Sequence, residues 1–147
     1  LPMEKQHNYK FRIGMPLSYI AECAGGIPEA AAKVISGGPM MGKAMFTLDV
    51  PMVKGSSALL CFREDIVSAV EPSNCIRCGR CVEVCPGRVM PNQLATLAEH
   101  GDIESFLKYD GMECCECGCC SFVCPAKRHL TQIIAGTRKQ VLANKKK

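Results

Sequence analysis

The stretches CIRCGRCVEVCP (Cys75 to Pro86) and CCECGCCSFVCP (Cys114 to Pro125) decide how the chain is read. Each carries four cysteines in the spacing C-x2-C-x2-C-x3-C and closes on a proline. The first ladder is Cys75, Cys78, Cys81 and Cys85; the second is Cys114, Cys117, Cys120 and Cys124. This is the spacing by which thiolates hold [4Fe–4S] cubanes, and in two-cluster proteins the fourth thiolate of each run reaches across to the other cluster. The expected ligand sets are therefore crossed. Cys75, Cys78, Cys81 and Cys124 hold one cluster, and Cys114, Cys117, Cys120 and Cys85 hold the other. Proline suits the position after the fourth cysteine because it cannot continue a helix and turns the chain away.

Two other readings of the thiols compete. Zinc sites also use C-x2-C pairs, but two complete ladders, each with its proline, weigh against zinc. Twelve cysteines in 147 residues approach the density of a disulfide scaffold. Thiols at every third position, however, crowd one turn and suit a metal core better than staples spread along a chain.

A 48% hydrophobic fraction allows a core, built from aliphatic and Met side chains because Trp is absent and aromatics are 5%. No apolar run is long enough to span a bilayer. The formal charge of +4 assumes neutral thiols. Two clusters with their thiolates bring about −2 each, so the loaded protein is near neutral, and no aromatic-interleaved basic patch speaks for nucleic acid. The chain opens on Leu1-Pro2 and is expected to be a piece of a longer one.

Residues 1–66 read as a small α+β module. Tyr9, Phe11 and Ile13 alternate with Lys10 and Arg12 as in a half-buried strand. Leu17, Ile20, Ala21 and Ala24 then follow at helical spacing up to Gly25-Gly26. Ala32–Ile35, Phe46–Val53 and Ser57–Phe62 are expected strands. The loop GGPMMGKA (Gly37 to Ala44) nearly matches a phosphate-binding loop, but Ala44 stands where Ser or Thr must hold magnesium, and Pro39 lacks an N–H. It reads as a tight turn between closely approaching backbones, with a cofactor or partner contact as the alternative.

Residues 67–147 read as a helical two-cluster module entered through a polar hinge ending at Glu71-Pro72. Between the ladders, Leu94, Leu97 and Ala98 predict a helix after Pro91-Asn92, stopped by Gly101. Asp102 predicts the cap of a second helix carrying Ile103, Phe106 and Leu107, closed by Gly111. Their expected value is an apolar shell around the clusters, which sets potential and solvent access. Leu130, Ile133, Ile134, Thr137 and Val141 form one helical stripe. The cations Lys127, Arg128, Arg138, Lys139, Lys145, Lys146 and Lys147 read as a solvated helix end, with docking to an acidic carrier or anionic membrane face as the alternative. Residues 99–116 are acidic by contrast. Cys115 and Cys119 fit no further ladder register and are expected to be bystanders. Cys23 and Cys61 are expected in the core, and His7, His100 and His129 at the surface.

Together KVISGGPMMG (Lys33 to Gly42), DVPMVKGSSALL (Asp49 to Leu60), EPSNCIRCGRCVEVCP and MECCECGCCSFVCPAKRHLTQ resemble the C subunit of Rnf-type electron-transport complexes along nearly the whole chain. The resemblance implies a β-grasp (soluble-ligand-binding) domain followed by an α-helical two-[4Fe–4S] ferredoxin domain. It places FMN and NAD sites in an N-terminal part outside this sequence. It implies electron relay in a ferredoxin:NAD oxidoreductase coupled to ion translocation, peripheral on the cytoplasmic side of the membrane. The implied partners are the other subunits and a ferredoxin or flavin module, with no turnover by this piece alone. His129 departs from the proline usual after Ala126-Lys127-Arg128, and Cys115 and Cys119 depart near the second ladder. Two alternatives stay open: a cobalamin-reductase-type subunit of a diol-degrading microcompartment, and a docking module whose clusters are structural.

Overall fold

The computed structural model describes residues 7–145; Leu1-Pro2, Lys146 and Lys147, named above, lie outside them. The chain divides into two compact units, with the boundary between Ala69 and Val70.

In the first unit, helix α1 (Leu17–Cys23) buries Leu17, Ile20, Ala21 and the adjoining Ala24, the stripe its spacing predicts. Strands β1 (Lys33–Ser36), β2 (Lys43–Ala44) and β3 (Leu59–Phe62) form an antiparallel sheet in the order β2-β1-β3. Ile35 faces Ala44 on one side and Leu60 on the other, and Ile35 and Cys61, on opposite faces of the sheet, are both buried. Burial pushes the Cys61 thiol pKa up. The glycine loop is the β1–β2 hairpin. Gly37 has φ 107°, and a Cβ on Gly42 would lie 2.4 Å from both the Gly38 carbonyl and Ile35 Cγ2. Gly42 N–H donates to the Gly38 carbonyl at 2.8 Å, so the loop spends an amide that a phosphate cradle would need.

Three expectations here are corrected. Residues 9–13 form no strand: Ile13 is 69% exposed, and Tyr9 and Phe11 turn to each other with ring centroids 5.6 Å apart. Alternation creates a two-faced segment but supplies no partner backbone. Phe46–Val53 is also no strand. Its carbonyls serve the start of α1 instead, Leu17 N–H donating to Val50 O at 3.0 Å and Ser18 N–H to Leu48 O at 3.1 Å, and its pairing is a single bridge from Pro51 to Pro16. Pro51 lacks the donor a ladder needs, and Phe46 is fully exposed. Cys23 is exposed, at the end of α1 past its buried face.

The second unit holds α2 (Arg80–Glu83), α3 (Pro91–Glu99), α4 (Ile103–Lys108), a 3-10 turn (Gly111–Glu113), α5 (Cys119–Val123) and α6 (Leu130–Asn144). Helix α3 starts on Pro91, where a missing N–H costs nothing. It packs against α6, whose buried face is Leu130, Thr131, Ile134, Thr137 and Val141. Phe106 of α4, fully buried, sits with Val89, Leu94 and Ile134. Gly111 is required beside it, because a Cβ there would fall 2.3 Å from the Phe106 ring. No helix of the described residues is long and apolar enough to cross a membrane.

Asp102 caps α4 as expected, its carboxylate accepting from Ser105 N–H at 3.0 Å. That hydrogen bond holds the Asp102 pKa below the ordinary carboxylate value. A depressed folded pKa adds stability above the unfolded pKa that is lost as pH falls through the folded one. Thermal midpoints of the wild-type chain are therefore expected to fall on acidification below about pH 4. Asp102→Asn, which caps without titrating, should remove part of that slope, and Asp102→Ala should lower the midpoint at neutral pH. Identical pH slopes in wild type and Asp102→Asn would contradict this.

Candidate metal centre

The two ladders fold alike. Arg77 and Glu116, between the first and second cysteines, both adopt the left-handed conformation at φ 57° and 56°. Gly79 and Gly118 follow at 78° and 83°, and Arg88 and Lys127, beyond the prolines, at 51° and 52°. Left-handed backbone costs non-glycine residues about 1–2 kcal/mol each, so its recurrence at equivalent places marks a loop shape that the surroundings impose. Alternating right- and left-handed residues turn successive N–H groups toward one concavity, the arrangement that suits anionic iron–sulfur cores.

The likeness continues beyond the cysteines. Helix α3 follows the first ladder as α6 follows the second, so Pro91 and Asn92 correspond to Leu130 and Thr131. Thr131 Oγ1 lies 3.3 Å from the Cys120 sulfur and 3.0 Å from Ser121 Oγ. Asn92 at the start of α3 places its backbone N–H on Cys81, and its buried Oδ1 has no hydrogen-bond partner. Each third cysteine is thus met by a residue from the N-terminal turn of a helix, where the backbone favours negative charge. These two residues were missed in the sequence; their equal spacing from Cys81 and Cys120 was the available signal.

One cavity is lined by Cys75, Cys78 and Cys81 of the first ladder together with Cys124 of the second, and by Asn92 and Arg128. Cys85 of the first ladder and Cys114 of the second both pack on the apolar cluster of Val89, Leu94, Phe106 and Ile134. Cys81 and Cys120 share a buried cluster with Ala95 and Leu130. Cys117 is half-buried on its loop. Burial pushes the Cys81 and Cys114 thiol pKa values up, with the neighbouring Cys120 adding to both. A bound cation inverts that logic and takes the thiolate.

The donor set fits an iron–sulfur core: four thiols around a cavity, with no carboxylate or imidazole lining it. Among the described residues no three His, Cys, Asp or Glu side chains converge as a single metal ion would require. A polynuclear core, presenting several iron corners, does not ask for that convergence. Cys115 is exposed and Cys119 half-buried.

The cationic run divides, correcting its reading as a solvated end. Arg128 pairs with Glu99 at 2.5 and 2.6 Å. Arg138 pairs with Glu116 and donates to the Met112 carbonyl at 3.1 Å. Lys127, Lys139 and Lys145 remain exposed. His129 is half-buried, not superficial. Separately, the first unit contains a cavity of about 770 Å³ lined by Tyr9, Phe11, Leu17, Ile20, Met52 and Leu60 among others.

Residues 67–90 match the family described as a 4Fe-4S binding domain. The C subunit of the Na(+)-translocating ferredoxin:NAD(+) oxidoreductase complex of Acetobacterium woodii is 41% identical over 138 residues, 94% of this chain and 31% of that protein. Its counterpart in the proton-translocating ferredoxin:NAD(+) oxidoreductase complex of Clostridium ljungdahlii is 40% identical over 97 residues, 66% of this chain and 21% of that protein. The C subunit of the ion-translocating oxidoreductase complex of Methanosarcina acetivorans is 39% identical over 134 residues, 91% of this chain and 30% of that protein. The chain spans less than a third of the length of these curated relatives.

Proposed function

We propose that this chain, a homologue of the C subunit of Rnf-type ion-translocating oxidoreductase complexes along nearly its whole length, relays electrons through two [4Fe–4S] clusters within such a complex. Cys75, Cys78, Cys81 and Cys124 hold one cluster, and Cys114, Cys117, Cys120 and Cys85 the other. The observation that carries this reading is the cavity drawing three cysteines from one ladder and the fourth from the other. Crossing has a physical consequence: neither cage is complete until both ladders have folded, so cluster binding and folding of the unit are one process.

Each cluster, when bound, accepts and returns one electron at a time. The chain's own part is to hold the thiolates, aim backbone amides at them through the left-handed loops, and keep water away with the apolar faces of α3, α4 and α6. In this reading residues 1–66 are a β-grasp module and 67–147 the ferredoxin module. The partners are the other subunits of the membrane complex. The flavin and NAD chemistry belongs to the part of the relatives that this chain does not cover, so the piece by itself moves electrons without turnover, peripherally on the cytoplasmic face.

Anaerobically reconstituted protein is expected to carry about eight irons and eight acid-labile sulfides per chain, with a spin-coupled EPR spectrum on reduction. Zinc without sulfide would replace this reading with a structural metal module. Clusters that a low-potential carrier can neither reduce nor reoxidise would leave docking as the function.

A further inference from the structure

Each half of the metal centre has a guanidinium–carboxylate pair, Arg128 with Glu99 and Arg138 with Glu116, but only Arg128 follows directly on its ladder. The place that Arg128 takes after the second ladder is taken after the first by Val89, which is buried among apolar side chains. Arg128 lines the cavity that Cys75, Cys78, Cys81 and Cys124 share, and its side chain is only 13% exposed. Ser73 N–H donates to the Ala126 carbonyl at 3.0 Å, fastening the approach to Cys75 onto the approach to Arg128. The Glu99 carboxylate pairs with the guanidinium, which is charged at any working pH.

A single Arg128 nitrogen donates to both Glu99 oxygens, which leaves most of the five guanidinium N–H donors available to the cavity. On the other side Arg138 pairs with Glu116 and donates to the Met112 carbonyl, with its buried Nε unpartnered.

Resting on the two-cluster reading above, we propose that Arg128 is a positioning residue that raises the reduction potential of the cluster at Cys75, Cys78, Cys81 and Cys124. Reduction adds a negative charge in a partly desolvated place, and a guanidinium donor beside a ligand sulfur stabilises the reduced form more than the oxidised one. Glu99 fixes the guanidinium in place and, as an anion, offsets part of its charge. The two members of the pair therefore act with opposite sign on the same cluster.

The test is an EPR-monitored potentiometric titration of the reconstituted full chain, with an external low-potential reductant supplying the electrons. Arg128→Gln is expected to lower the reduction constant of one of the two waves about tenfold, a shift of about 59 mV to more negative potential for one electron, leaving the other wave in place. Arg128→Lys should restore much of the loss, and Glu99→Gln should move the same wave in the positive direction. Arg128→Gln and Glu99→Gln shifting the wave the same way, or neither shifting it at full iron content, overturns the proposal. If Arg128→Gln fails to hold iron, the sign of the Glu99→Gln shift alone decides. Wild-type protein lacking about eight irons would instead refute the two-cluster reading, so the two failures are told apart.

Discussion

The double variant Cys75→Ser, Cys124→Ser is expected to retain about four irons per chain, no fewer than either single variant, whereas Cys75→Ser, Cys85→Ser retains almost none. A cage that has lost one of its four thiolates has already lost its cluster, so removing a second thiolate from that cage adds nothing. Removing one thiolate from each cage empties both. Uncrossed ligation reverses the two outcomes, which makes the pair of double variants decisive where single variants are not. Iron and sulfide analysis reads the result directly. EPR adds a second readout, since the spin coupling between neighbouring clusters should vanish in every variant that keeps one. The expectation comes from Cys124 lining the cavity of Cys75, Cys78 and Cys81, and from Cys85 and Cys114 packing on one apolar cluster.

The second large effect is expected at Phe106. Its ring is fully buried against Val89, Leu94 and Ile134, with Cys85 and Cys114 packed on the same cluster. Truncation to alanine removes a large apolar contact and leaves a cavity, a change that costs about 3–5 kcal/mol. Because the cavity opens beside Cys85 and Cys114, the cluster they are proposed to share should bleach faster in a chelator, while the one at Cys75 is retained. Phe122 is the internal control: it lies within the second ladder but is 74% exposed, so Phe122→Ala should leave both stability and bleaching rates nearly unchanged. Chemical unfolding followed by far-UV circular dichroism and visible absorbance checks both. Equal bleaching of the two clusters in Phe106→Ala would show that the ring does not shield one of them selectively.

Much of the second unit was legible because its signals are local. Pro91, Asp102, Gly101 and the stripe Leu130, Ile134, Thr137, Val141 are helix starts, stops and faces written within a few residues of where they act. Sheet pairing is a non-local matter, and there the reading failed. The alternation of Tyr9, Phe11 and Ile13 was real, but residues 9–13 form no strand. Phe46–Val53 has the composition of a strand yet lays its hydrogen bonds along the start of α1. Cys23 misled for a related reason: an apolar neighbourhood in sequence says nothing about which side of a short helix a residue occupies.

By itself, the sequence determined the chemistry the chain is built for. Two ladders of four cysteines, each ended by proline, name a donor set and a spacing, and these depend only on residue type and order. It also carried the resemblance to the C subunits, through KVISGGPMMG (Lys33 to Gly42) and the ladders. The crossed set was expected from the spacing; tertiary structure brings Cys124 into the cavity of Cys75, Cys78 and Cys81, which needs both loops folded. It also decided that Arg128 and Arg138 leave the basic run to pair with Glu99 and Glu116. A charge in sequence has no neighbours until the chain has brought them within a few ångströms, where Coulomb attraction and hydrogen bonding become large enough to choose a side chain's place.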